Sequence, residues 1–89
     1  MLYLIIESYK NQDPAPVYRR FRDQGRLAPA GLRYVSSWVT EDLTRCYQIM
    51  QCEDARLLDE WIARWSDLVD FEVVPVITSA EAAERVAPP

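Results

Sequence analysis

Two apolar runs near the ends of the chain constrain its fold more than any other feature. Leu2-Tyr3-Leu4-Ile5-Ile6 and Val73-Val74-Pro75-Val76-Ile77 have no polar residue at alternate positions. A strand in an antiparallel sheet with one wet face alternates apolar and polar side chains, because successive side chains point to opposite faces. Strands without that alternation need cover on both faces. Pro75 places the second run on a sheet edge or at a bulge, since its nitrogen has no hydrogen for the ladder.

The stretches between these runs supply the other elements. Leu2–Tyr9 reads as the first strand. Asp13-Pro14 opens a helix, with Asp as cap and Pro in the first turn. Val17, Tyr18, Phe21 and Ala28 follow at helical spacing, so the helix extends to Leu27 unless Gly25 stops it. Leu32–Thr40 and Thr44–Cys52 read as strands two and three, joined by a tight hairpin at Glu41-Asp42. Asp54 caps a second helix with Leu57, Leu58, Trp61, Ile62, Trp65 and Leu68 in one stripe. Phe71–Ile77 is strand four. Thr78-x-x-Glu81 is a capping-box pattern opening a short helix, Ser79–Val86, before a Pro88-Pro89 tail.

The order β-α-β-β-α-β predicts an α+β domain with an antiparallel four-stranded sheet in the ferredoxin-like arrangement. Residues 1–89 make one domain, with a core over 1–77 and a C-terminal helix and tail over 78–89. Two helices cover one face of such a sheet. Nothing else in 89 residues is large enough for the other, so the expected cover is a second copy of the chain and the expected partner is itself.

Size points the same way. A chain of this length buries only about 64% of its unfolded surface, a marginal fraction that usually calls for a disulfide, a metal or self-association. Cys46 and Cys52 sit at opposite ends of one predicted strand, roughly 20 Å apart, whereas a disulfide needs Cα atoms within about 7 Å. Histidine is absent, which excludes His-based triads and His metal sites. No metal and no cofactor is expected. Reduced thiols fit the cytoplasm. No stretch approaches the roughly 20 apolar residues of a membrane span, and no signal-like segment is visible.

Charge is uneven. The net charge is -4, with seven basic and five acidic residues over 1–45 and three basic and nine acidic over 46–89. An acidic chain is a poor phosphate-backbone binder. The strand order is shared with RNA-recognition modules, and Leu2-Tyr3-Leu4 resembles their first-strand motif. Arg45-Cys46-Tyr47-Gln48-Ile49-Met50 departs from the third-strand motif, lacking its glycine and carrying Ile49 at a stacking position. Nucleic acid is therefore disfavoured. Arg19, Arg20, Arg22, Arg26 and Arg33 cluster around the first helix and read as a solvated face paired with the acidic second half.

Candidate site residues come from period-two geometry. Tyr34, Ser36 and Trp38 share one face of strand two, and Cys46, Gln48 and Met50 share one face of strand three. A register pairing Trp38 with Cys46, Ser36 with Gln48 and Tyr34 with Met50 gathers them on one surface. A one-residue slip splits the set. In register, Tyr34 and Gln48 hydrogen-bond a small ligand and Trp38 stacks on it. The alternative is a core or a dimer interface. Glu7, late in strand one, is a general base if buried, or else marks where the strand meets water. Cys46 has no histidine to activate it, and Arg45 points to the opposite face. Trp61 and Trp65 belong to the core.

The stretches Asp13-Pro14-Ala15-Pro16-Val17-Tyr18-Arg19-Arg20-Phe21, Ser37-Trp38-Val39, Arg45-Cys46-Tyr47-Gln48 and Glu60 through Val73 (EWIARWSDLVDFEV) resemble a small family of bacterial proteins, domain of unknown function 3303. The resemblance spans residues 1–82 and extends to the wider dimeric α+β-barrel group, in which two such sheets face each other. It implies that fold and a homodimer; the group includes small monooxygenases, isomerases of ring lactones and stress-response proteins, and the family itself implies no activity. The resemblance carries no catalytic residue over to this chain. A homodimer that encloses or flanks a small-molecule site is the first expectation. A non-catalytic interaction or scaffold protein is the other expectation.

Overall fold

The computed structural model describes residues 1–88, so Pro89 of the expected tail lies outside the described residues. The elements in chain order are β1 (Leu2–Tyr9), α1 (Ala15–Gln24), β2 (Arg33–Val39), β3 (Arg45–Gln51), α2 (Arg56–Ala63), β4 (Val69–Val76) and α3 (Ser79–Arg85), with one short 3-10 turn at Lys10–Gln12 after β1. The sheet order is β2-β3-β1-β4, and every neighbouring pair is antiparallel. This is the ferredoxin-like arrangement. The apolar first strand lies in the middle, and Pro75 lies on the edge strand β4.

Register and alternation divide the sheet into two faces. Ile5, Glu7 and Tyr9 of β1, Cys46, Gln48 and Met50 of β3, and Val69 of β4 are buried beneath α1 and α2. The main core gathers Ile5, Leu32, Met50, Cys52, Leu58, Trp61 and Trp65. Ile5 and Met50 are 0% exposed, and burying each contributes about 1.5–3 kcal/mol. The opposite face carries Leu2, Leu4, Ile6, Ile49, Val74 and Val76, all only partly buried. Every fully buried apolar residue lies on the helix side or in the loops that close it.

The helices depart from expectation at their ends. Pro14, not Asp13, holds the N-cap position of α1, and Asp13 stands one residue before it, where its Oδ1 accepts the Ala15 N–H at 3.0 Å. α1 then stops at Gln24, not Leu27. Gly25 turns left-handed at φ 73, and its N–H closes on the Phe21 carbonyl at 2.8 Å. Leu27 itself sits at φ 61, outside helical geometry. α1 buries no residue. Tyr18 and Phe21, expected to pack inward, stay 45% and 43% exposed because the helix stands off the sheet. α2 ends at Ala63, but its stripe continues inward through the following turn, where Trp65 N–H reaches the Ile62 carbonyl at 3.0 Å and Leu68 N–H the Trp65 carbonyl at 2.9 Å. Asp54 Oδ1 accepts the Arg56 N–H at 3.0 Å at the start of α2.

The hairpin is wider than a two-residue turn. Asp42 Oδ1 accepts from Thr40 Oγ1, the Thr44 N–H and Thr44 Oγ1 at 2.7, 3.1 and 2.7 Å, and Leu43 takes φ 62. In α3, Thr78 Oγ1 accepts the Glu81 N–H at 3.1 Å, the expected N-terminal cap. This helix buries none of its residues.

A β-bulge corrects the predicted register. Arg33 pairs with Gln51 and Tyr34 with Met50, as the proposed register requires. Beyond the bulge Ser36 pairs with Ile49, Ser37 with Gln48, Trp38 with Tyr47 and Val39 with Cys46. Val35 is the extra residue, and one inserted residue turns every later side chain to the other face.

Candidate functional site

A cavity of about 220 Å³ opens between the helix side of the sheet, α1 and the start of the chain segment joining α1 to β2. Its floor is made by Glu7, Cys46 and Gln48. Val17, Tyr18 and Phe21 of α1 line one wall, Trp61 and Trp65 another, and Ser37 and Val39 the β2 side. α1 buries none of its residues, and the cavity opens along its inner side.

Of the predicted site residues, Glu7, Cys46 and Gln48 converge here. Trp38 does not. The bulge sends it to the open face, where it is 64% exposed, and its partner is Tyr47 rather than Cys46. Tyr34 keeps its predicted pairing and stands outside the cavity wall, where its hydroxyl shares a 2.8 Å hydrogen bond with Ser37 Oγ. Its ring stacks under the Arg26 guanidinium at 3.9 Å.

Glu7 is the central group. It is 7% exposed and pairs with Cys46 of β3 and Phe71 of β4. The strand has not left the core at this point, so the carboxyl is buried rather than wet. Loss of water raises its pKa. The hydrogen bond from Gln48, the neighbouring Cys46 and the charge of Arg26 pull it partly back. Gln48 Nε2 donates to Glu7 Oε2 at 2.8 Å, and Arg26 Nη1 donates to Gln48 Oε1 at 3.1 Å. Arginine has no acceptor, so the amide of Gln48 has one satisfied orientation, oxygen toward Arg26 and nitrogen toward Glu7.

The other titratable groups on the floor are held neutral. Burial, followed by the Glu7 charge, pushes the Cys46 thiol up to about 12. A nucleophilic cysteine needs the reverse. Burial likewise raises the Tyr9 hydroxyl. Its ring meets Tyr18 edge-on at 6.3 Å. Both cysteines are free and buried. Among the described residues no cluster of three or more metal-ligating side chains occurs.

The sequence pattern assigns Arg26 to a solvated basic face. The fold places it at the mouth of the cavity instead. The indole Nε1 groups of Trp61 and Trp65 both donate to its backbone carbonyl at 2.9 Å. Arg64 Nη1 ties the next residue by donating to the Leu27 carbonyl at 2.7 Å. Three side chains from α2 and the turn after it thus hold the chain that follows α1. The spacing Trp61, Arg64, Trp65 was visible in the sequence, but its target was not. Arg20 behaves as expected for the basic face, in a two-pronged pair with Asp67 at 2.8 and 2.6 Å.

No helix among the described residues is long and apolar enough to cross a membrane. No functionally curated protein matches the chain. The crystal structure of Atu4242 from Agrobacterium tumefaciens, a structural-genomics target, is similar at 16% identity and a TM-score of 0.49, over 89% of this chain and 96% of that one. The match that identifies the chain is to a family model covering residues 1–88, and by it this protein belongs to the domain of unknown function family DUF3303.

Proposed function

We propose that this protein binds a small organic molecule in the cleft over Glu7, as one half of a homodimer. The observation that carries the reading is a carboxyl group, 7% exposed, that lines an open cavity. Ligand sites combine a mostly apolar wall with a few aimed polar groups and a perturbed titratable residue. Here Val17, Phe21, Trp61 and Trp65 are the wall, and Glu7, Gln48 and Arg26 the polar groups. Glu7 suits proton exchange with a bound molecule, since a raised carboxyl pKa lies nearer to neutrality. The test is melting against a panel of small aromatic and acidic metabolites. A ligand at a hundred times its dissociation constant stabilises the folded state by about 2.7 kcal/mol. No shift across a broad panel refutes the reading.

The dimer is proposed through the open sheet face. Leu2, Leu4, Ile6, Ile49, Val74 and Val76 form an apolar surface that no element of the same chain buries. The chain exposes 6046 Å², against roughly 5,400 Å² for a compact monomer of its mass. Its Cα radius of gyration is 14.7 Å, against roughly 12 Å for a domain of this length. Sedimentation at micromolar concentration is expected to give twice the chain mass of 10.4 kDa, and Ile49→Glu to give the single mass. A monomeric native protein overturns the proposal. The free thiols favour a reducing compartment, and we assign the protein to the cytoplasm on that ground. The scaffold reading, in which the dimer surface is the whole role, draws on Trp38, too exposed at 64% to serve the core. A dimer with no ligand from the panel favours it.

A further inference from the structure

We infer that Arg26 anchors an anion in this cleft and that the ligand is a small monocarboxylate with a flat or short apolar body. The inference rests on the ligand-binding reading above and narrows it to a chemical class.

Arg26 is held in place before any ligand arrives. Its carbonyl takes both indole N–H bonds, Gly25 turns the chain just before it, and its guanidinium stacks 3.9 Å from the Tyr34 ring and 5.1 Å from Phe21. A positioned side chain loses little freedom on binding. Yet it makes no direct ion pair, and its charge reaches the Glu7 carboxyl only across Gln48. Among the described residues the ion pairs use Lys10, Arg20 and Arg56. Arg26 makes one side-chain hydrogen bond, to Gln48 Oε1, and a guanidinium offers five N–H donors. Gln48 stands between Arg26 and Glu7, accepting from the one and donating to the other, and occupies the direct line between guanidinium and carboxyl. A half-buried, fixed cation with spare donors fits a carboxylate, whose two oxygens match the guanidinium fork.

The rest of the cleft sets the body and limits the charge. The cavity of about 220 Å³ is smaller than the roughly 300–1,000 Å³ of pockets that take drug-sized molecules, so the ligand is small. Val17, Phe21, Trp61 and Trp65 present apolar and aromatic surface. Arg26 is the single cation among the lining residues and balances one ligand carboxylate, while burial favours the protonated form of Glu7 beside it; a second carboxylate would meet no cation and would lie against Glu7. A monocarboxylate meets both conditions and a dicarboxylate fails the second.

The test is an NMR titration of the intact protein with butyrate, hexanoate and benzoate, each beside its neutral primary amide, and with succinate. The indole N–H signals of Trp61 and Trp65 and the side-chain amide of Gln48 report the cleft. At least one monocarboxylate is expected to move them, with its amide and succinate binding about tenfold more weakly or worse. Arg26→Gln keeps the backbone carbonyl that the indoles need, and it should remove the preference for acid over amide. Arg26→Lys should restore part of it, and Arg22→Gln, on the exposed face of α1, should leave it intact. An amide that binds as tightly as its acid overturns the inference while the binding reading stands. Preference retained in Arg26→Gln overturns the role of Arg26. If no probe moves the reporter signals at millimolar concentration, both the inference and the binding reading fail.

Discussion

Replacing Glu7 by Gln isolates the cost of keeping a carboxylate under α1. In the unfolded chain the group titrates near about 4.3. In the folded protein burial raises it, and Gln48, Cys46 and Arg26 offset only part of that rise. Between the two pKa values the folded state holds a proton that the unfolded state has released. Stability therefore falls as pH rises through this window, by about 1.4 kcal/mol for each pH unit that separates the two values, and stays lowered above the folded value. Glutamine never ionises. Its side-chain oxygen can still accept the 2.8 Å bond from Gln48 Nε2, so the packing is kept. The stability of Glu7→Gln minus that of the native protein should climb with pH from about pH 4, where the unfolded group begins to lose its proton, and level off above the folded pKa. For a domain of this size each kcal/mol moves the melting temperature by about 4–8 °C. Parallel thermal or urea unfolding of the two proteins at equal concentration, from about pH 4 to about pH 8, measures it, and titrations common to both cancel in the difference. A difference independent of pH, or one that shrinks as pH rises, refutes the claim that Glu7 is buried with a raised pKa.

Other substitutions probe the supports of the cleft. Trp61→Phe and Trp65→Phe should each cost about 1–3 kcal/mol. Because both indoles serve the carbonyl of Arg26, the double variant should lose about 0.5–3 kcal/mol beyond their sum. A strictly additive pair in urea unfolding would show that the two bonds act separately. Cys46, its thiol pushed up to about 12 by burial, should alkylate at least about tenfold more slowly near neutral pH than an ordinary exposed thiol, the scarcity of thiolate outweighing its greater nucleophilicity. Mass spectrometry after iodoacetamide reads this, and labelling at the rate of a free thiol contradicts the buried placement. Thr78→Ala removes the bond to Glu81 N–H and should destabilise α3 locally by about 1 kcal/mol. The global unfolding midpoint should hold, since α3 buries nothing within the chain. A lowered midpoint would mean that α3 packs on something, a partner copy included.

The sequence determined the element order, because that order is written in local patterns. The unbroken apolar run of β1, the Leu57-to-Leu68 stripe, Pro75 on an edge and the Thr78 cap each depend on neighbours a few residues away. All four hold in the fold. Tertiary structure alone decided what the strands present to one another. Period two carries any slip down the whole strand, and the bulge at Val35 arises from pairing between β2 and β3, which no local pattern in either strand records. It parted Trp38 from Cys46 and Gln48 while leaving Tyr34 in register with Met50. The cleft has the same origin. Glu7, Arg26, Gln48 and the two tryptophans come from four separate segments, and they meet only once α2 has caught the chain after α1 by its carbonyls. A solvated basic face and a half-buried cation stacked on Tyr34 look the same in the sequence around Arg26. Long-range hydrogen bonding distinguishes them.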